Sequence, residues 1–302
     1  MSGQAFPPTF VLTEMMLSLW VPQALHAAAE LGIADAIGSG ARPSDEIADA
    51  VGAHRGALYR LLRALTVIGV CEEMEDRSFR LTPLGECLRA EGPDTVRSWA
   101  LLMGSPEIWR VWGRLTDCVR TGEHAWKLEG TDAFTWLQQD PEAGAIFNQA
   151  MFEVSRRTAR AVAEAYDFSR ARTIVDVGGG FGTVLAQILA ANPRAKGVVF
   201  DLAHCAEGAS SLFRERGLSD RAEFQEGDFF RSVTPGADLY LLKSVIHDWD
   251  DEKSISILRN CRDAMGETGV LLVVEPVVPD RLEGSRFDNI LVASDLNMMV
   301  NT

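Results

Sequence analysis

The sequence predicts an α/β fold: a parallel sheet covered by helices on both faces, preceded by a mainly helical unit with a winged-helix pattern. Three observations carry this. From Thr173 onward, short apolar runs alternate with helix-forming segments. Each run is continuously apolar rather than alternating, as in strands buried on both faces. Before Thr173 the chain reads as helices, interrupted by one short hairpin pattern. At 302 residues, with 47% hydrophobic and 24% charged side chains, the chain is long enough for roughly two domains with sizeable cores.

The elements follow in order. "LSLWVPQALHAAAELGIADAI" carries apolar residues at helical spacing in an alanine-rich stretch. In "RPSDEIADAVG", Ser44 is the expected N-cap of a second helix. "HRGALYRLLRALTVIGV" sets Leu58, Leu61, Leu62 and Leu65 on one helical face. "CEEMEDRSFRLTP" gives two strand-like pieces about a charged turn, completing a winged-helix order. After residue 172 come the strand "TIVDVG", the helix "VLAQILAAN", the strand "GVVFD" and the helix "AEGASSLFRERG". The weak strand "AEFQEG", the strong strand "DLYLLKSV", the helix "DEKSISILRNCRDAM" and the buried strand "VLLVVEP" complete the pattern. The expected divisions are residues 1–110 for the winged-helix-like unit, 111–170 for a helical linker, and 171–302 for the sheet domain.

Charge narrows the function classes. The formal net charge is −14, which repels phosphate backbones, so nucleic acid is not expected as a partner. A winged helix could read DNA, but residues 1–110 hold 9 Arg and no Lys against 14 Asp plus Glu, the wrong sign for that task. Packing or dimerisation is the expected role. No run of 18 apolar residues reaches membrane-spanning length, and "MSGQAFPPTF" has no basic stretch leading into an apolar one, so it does not read as a signal peptide. The five cysteines are scattered and never spaced CxxC, which argues against a disulfide framework or zinc site and for a cytoplasmic location.

In "DVGGGFG" the glycines Gly178, Gly179, Gly180 and Gly182 follow the first strand of the sheet and open the next helix. Glycine there permits positive φ and a close approach by a ligand, at the strand ends where open α/β sheets bind ligands. Alone, the turn fits NAD, FAD, another adenosine ligand, or merely a tight turn. Asp201 lies 23 residues after Gly178, at the end of the second strand, where a carboxylate can accept from both ribose hydroxyls. In "EGDFF", Asp228 can accept from an exocyclic amine and Phe229 can stack on a purine. Singly these are a helix cap, a turn residue and a core ring; jointly they make an adenosine pocket. The fourth strand leads into "KSVIHDWDDEKS", where His247 suits proton removal from a phenol or similar hydroxyl. The carboxylates Asp248, Asp250 and Asp251 read as a charged helix start rather than a metal site.

The pieces "DVGGGFG", "FDL", "EGDFF", "LLKSVIHDWDDE" and "VVEPV", in this order, with "LYRLLRALTVIGV" and "FRLTPLG" before them, resemble the small-molecule O-methyltransferases that use S-adenosylmethionine. That group contains plant caffeate and isoflavone methyltransferases and bacterial methyltransferases of polyketide antibiotics. The resemblance covers nearly the whole chain and implies a Rossmann-like methyltransferase sheet behind a dimerisation domain. It implies that Gly178 and Gly180 approach the methionine end of the cofactor, Asp201 its ribose, and Asp228 and Phe229 its adenine. Lys243 lies nearby and Ser155 reaches the cofactor carboxylate. It implies His247 as general base, oriented by Glu275, with Phe147, Met151, Asn297 and Met298 lining a small aromatic acceptor. No metal is implied, and a homodimer is. Core packing is the competing reading for Phe147, Met151 and Met298, and for most of Trp109, Trp112, Trp126, Phe134 and Trp136.

In the family the segment after "DLNMMVNT" begins with a "GGxER"-like run that supplies a further carboxylate, then a helix and a final hairpin. Its absence leads to the expectation that the sequence covers part of a longer chain and that "VLLVVEP" is an exposed edge. Some bacterial relatives bind S-adenosylmethionine yet hydroxylate or decarboxylate their substrates; retention of His247 and Glu275 favours methyl transfer. A catalytically inactive dimeric scaffold and an NAD-dependent dehydrogenase are the other rivals.

Overall fold

The computed structural model describes residues 6–302; the targeting reading at residues 1–5 lies outside them. Contacts divide the chain into two units, Met1–Arg110 and Val111–Thr302.

The first unit contains helices α1 (Pro8–Leu17), α2 (Trp20–Glu30) and α3 (Ile33–Ile37), strand β1 (Arg42–Pro43), helices α4 (Ser44–Ala50) and α5 (Arg55–Val67), strands β2 (Cys71–Glu73) and β3 (Ser78–Leu81), and helices α6 (Pro83–Glu86) and α7 (Arg97–Met103). Helix α8 (Pro106–Trp112) follows. The periodic stretch at residues 17–37 follows the end of α1 with two helices, α2 and α3, because Gly32 takes φ +68° and turns the chain between them. Leu58, Leu62 and Leu65 of α5 are buried against Ile33, Ile37, Ile47 and Phe79. Ser44 is not an N-cap. Pro43 occupies that position, because Arg42 and Pro43 are drawn into antiparallel pairing with β3 and the Ser44 amide donates to the Arg77 carbonyl. Three arginines of the winged-helix pattern are tied to acids: Arg55 to Asp49 at 2.7 Å, Arg63 to Glu73 at 3.8 Å, and Arg80 to Glu72 at 2.6 Å. Helix α1 buries none of its residues.

The second unit opens with helices α9 (Leu115–Thr121), α10 (Ala125–Leu128), α11 (Ala133–Gln139) and α12 (Pro141–Ala165). The sheet elements follow: β4 (Thr173–Val177), α13 (Thr183–Ala191), β5 (Lys196–Asp201), α14 (Ala206–Glu215), β6 (Ala222–Glu226), β7 (Leu239–Lys243), α15 (Asp251–Ala264), β8 (Val270–Val274) and α16 (Arg286–Asn301). The five strands are parallel in the order β6-β5-β4-β7-β8. Strand direction of travel across the sheet reverses between β4 and β7, which makes a ligand crevice at their carboxyl ends.

Side-chain alternation builds a core on each face. Ile174, Val199, Leu239 and Leu241 pack with α13 and α14 on one side. Val175, Val177, Val198, Phe200, Tyr240 and Leu242 pack with α15 on the other. Strand β8 lies at the sheet edge, and Val270 and Val273 are exposed.

Candidate active site

The glycine turn leaves β4 with Gly178 at φ +69° and Gly180 at φ +58°. A Cβ on Gly178 would lie 2.9 Å from Val245 and 3.5 Å from Phe229, whereas one on Gly180 would project into open space. The turn therefore presents bare backbone to a cradle, with Phe229 at its side. Asp201, at the end of β5, fixes that backbone: Oδ2 accepts from the Gly180 amide at 2.7 Å and Oδ1 from the Leu202 amide at 2.7 Å. Each oxygen keeps a lone pair for a further donor. Burial raises the Asp201 pKa against the pull of these two amides. Asp228 caps its own turn, its Oδ1 accepting from the Phe230 amide at 2.9 Å.

Helix α12 carries Phe147, Met151 and Ser155 at four-residue steps, which places them in one row. The Ser155 end of that row meets β7, where Lys243 Nζ donates to Ser155 Oγ at 3.2 Å. Burial lowers the Lys243 pKa, against Asp176 and Glu275, which raise it. Asp176, in the middle of β4 and only 2% exposed, was not anticipated as a site residue. Burial and the neighbouring Asp201 push its carboxyl up to about 7, against the attraction of Lys243. Its signal in the sequence was a lone carboxylate inside an otherwise apolar parallel strand.

His247 lies in a short helical turn after β7. Its Nδ1 is 2.7 Å from Glu275 Oε2, just beyond β8. The other oxygen, Oε1, accepts from the amides of Val245 and Ile246 at 2.8 and 2.9 Å. Glu275 thus grips both the imidazole and the loop that carries it. A carboxylate at Nδ1 fixes the proton there and leaves the Nε2 lone pair as the basic atom. Asp248 Oδ1 lies 3.5 Å from that Nε2. Burial alone would lower the His247 pKa; the Glu275 hydrogen bond and the charges of Asp248 and Glu275 outweigh it and raise the pKa above the ordinary value. Burial would likewise raise Glu275, but its contacts with His247, Val245 and Ile246 hold it low. Burial pushes Asp248 up to about 6; it lies in the short turn ahead of α15, whose N-cap is Asp250 and whose first turn holds Asp251.

The middle aromatics divide. Trp126 is buried and stacks on Trp136, with centroids 4.8 Å apart. Its Nε1 donates to Asn301 Oδ1 at 3.0 Å, while Trp112 Nε1 donates to Asn297 Oδ1 at 3.3 Å. Asn301 Nδ2 also donates to Asn297 Oδ1 at 3.0 Å. Asn297 is held within this tryptophan–asparagine network. Met298, its neighbour on α16, is half-buried. Phe134 instead faces Trp249, two residues after His247.

A half-buried carboxylate-bound histidine beside a glycine-turn cradle, in a parallel sheet of this order, agrees with what comparison with known proteins finds. Residues 112–302 match the O-methyltransferase domain, and residues 13–91 match the O-methyltransferase dimerisation domain. The chain belongs to the O-methyltransferase family. This methyltransferase is 42% identical to a phenazine O-methyltransferase of Lysobacter antibioticus over 277 residues, which is 91% of this chain and 81% of that protein. Among solved structures, the methyltransferase superposes on LaPhzM with a TM-score of 0.92 at 41% identity, covering 98% of this chain and 88% of that one. It superposes on NcsB1 from neocarzinostatin biosynthesis with a TM-score of 0.77 at 35% identity, covering 94% and 85%. The NcsB1 structure is a complex with S-adenosylmethionine and 2-hydroxy-5-methyl naphthoic acid.

Proposed function

We propose that the chain transfers a methyl group from S-adenosylmethionine to a hydroxyl of a small aromatic secondary metabolite, with His247 as general base. The observation that carries this is the 2.7 Å pairing of His247 Nδ1 with Glu275 Oε2 at the strand ends that also carry the glycine turn. When bound, the cofactor supplies a methyl group made electrophilic by its sulfonium. The cradle left open at Gly180 and the unshared lone pairs of Asp201 suit an adenosine ligand. In this reading Gly178 and Gly180 lie against its methionine end, Ser155 and Lys243 bind its carboxylate, Asp201 its ribose, and Asp228 and Phe229 its adenine.

The chain's own residues do the rest. His247 Nε2 takes the acceptor's hydroxyl proton, and Glu275 holds the ring in the required tautomer and offsets the imidazolium charge. Such a base contributes about 10²–10⁴-fold, and fixing the acceptor against Phe147, Met151, Asn297 and Met298 contributes several kcal/mol more. Residues 111–170 form the acceptor side of the site. The unpartnered apolar residues of α1, including Phe10, Leu12, Met15 and Met16, support a homodimer formed through the dimerisation domain. Among the described residues no helix is long and apolar enough to cross a membrane; we place the protein in the cytoplasm.

Calorimetric titration with S-adenosylmethionine and, separately, NAD tests the reading. The expected result is binding of S-adenosylmethionine alone, lost in Asp201→Ala. Binding of NAD instead would point to a dehydrogenase and overturn it.

A further inference from the structure

We propose that Phe134 is a positioning residue that transmits cofactor occupancy to the acceptor wall, a role that rests on the cofactor reading above. Four rings form a continuous path. Phe147 meets Phe134 edge-on, with centroids 6.2 Å apart and an interplanar angle of 87°. Phe134 stacks on Trp249 at 5.3 Å and 22°. Trp249 in turn meets Phe229 edge-on at 6.1 Å and 77°. One end of the path is the expected acceptor wall and the other is the expected adenine plate.

The path has fixed supports. Trp249 is braced edge-on by Phe230 at 4.7 Å and has the Lys253 ammonium 5.0 Å from its ring centre. Phe134 stands at the start of α11, where Asp132 accepts from the Thr135 amide at 2.9 Å and from its hydroxyl at 2.7 Å. Two residues along the same helix, Trp136 turns the other way, onto Trp126. The chain therefore spends one aromatic of α11 on its core and the other on the loop that bears His247. The four rings of the path are all only partly buried, so their edges are open to ligands, as a core ring's would not be.

Adenine seated on Phe229 restricts Trp249, and the stacked ring of Phe134 carries that restriction to Phe147. Coupling of this kind is reciprocal: whatever fixes Phe147 also favours the cofactor. A wall assembled from ring faces and edges fits a planar aromatic acceptor, because offset and edge-on ring contacts are the favourable ones.

The test needs no acceptor. The full chain is labelled with 4-fluorophenylalanine, and the Phe147 resonance is assigned by its absence in Phe147→Leu. S-adenosylhomocysteine is then titrated, with binding followed in parallel by calorimetry. The expected result is a Phe147 shift on binding in the wild type. In Phe134→Leu that shift is lost, while affinity for S-adenosylhomocysteine stays within about tenfold, the range of one aromatic pair. Phe134→Tyr, which keeps the ring, restores the shift. Trp249→Phe, which shortens the path, weakens it and serves as a second variant should Phe134→Leu fail to fold. A Phe147 shift that persists in Phe134→Leu, or a silent Phe147 in a wild type that binds, overturns the proposal. A folded wild type that gives no heat with S-adenosylhomocysteine sinks the cofactor reading first, and the inference with it.

Discussion

Glu275→Gln probes the catalytic pair most directly. Glu275 uses one oxygen on His247 and the other on the amides of Val245 and Ile246. Glutamine keeps a single carbonyl oxygen, so it can serve the loop amides or the imidazole, but not both, and it carries no charge. A hydrogen bond to a charged partner contributes about 1.5–3 kcal/mol, which is roughly a 10- to 150-fold loss in kcat/KM. The pH profile carries the sign. In the proposed mechanism catalysis needs neutral His247, and the His247 pKa is raised by Glu275 and Asp248 against the effect of burial. Activity therefore falls as pH drops through that raised pKa, and Glu275→Gln moves this acid limb to lower pH while lowering the plateau. The assay is release of S-adenosylhomocysteine across a pH series with a panel of hydroxylated aromatic acids. An NMR titration of the His247 ring gives a second readout that needs no acceptor. An unchanged plateau with an unchanged acid limb would refute the orienting role.

Three further outcomes follow from the geometry. Gly182 sits at φ +77°, and a Cβ there would lie 2.6 Å from Val199 and 2.9 Å from Phe213. Gly182→Ala should therefore cost about 2–4 kcal/mol of stability, measured by urea unfolding; a loss below about 0.5 kcal/mol would contradict the packing. Asp176 has its folded-state pKa raised to about 7, so the native protein keeps a proton that the unfolded chain releases near pH 4. Stability from this group falls as pH rises through that window, and Asp176→Asn should flatten the decline of Tm with pH; parallel curves would refute it. Light scattering should give twice 33.0 kDa. Leu12→Glu with Met16→Glu on the exposed face of α1 should yield a monomer with its cofactor affinity intact, and an unchanged mass would place the interface elsewhere.

The fold was legible because its signals are local. "TIVDV" and "LYLLK" are apolar runs with no helical periodicity, and both are strands. Asp201 and His247 could be named because residues at strand ends in such a sheet converge whatever their distance in sequence, whereas Glu275 was named only through the family resemblance. What escaped depends on distant partners. Ser44 has every property of a cap, yet β3 claims the residues before it. Asp176 acquires meaning only from Asp201 and Lys243, which lie 25 and 67 positions away. Composition put Phe134 and Trp136 in one aromatic group; only packing separates them, one to Trp249 and the other to Trp126. The bonds of the Asn297 carbonyl oxygen to Trp112 and Asn301 likewise carry no local signal, because Trp112 lies 185 positions away.

The reversal of strand order between β4 and β7 also divides the gene's work. In the proposed reading the groups offered to the adenosine come mainly from one unbroken stretch, Gly178 to Phe229, and those that would handle the proton come from a second stretch, His247 to Glu275. They meet across the seam where β4 pairs with β7 and where Phe229 meets Trp249. Substitution at His247 or Glu275 would therefore act on the proposed proton-handling side of the seam, whereas substitution at Val245 or Trp249 would also reach the nucleoside bed, through Gly178 and Phe229.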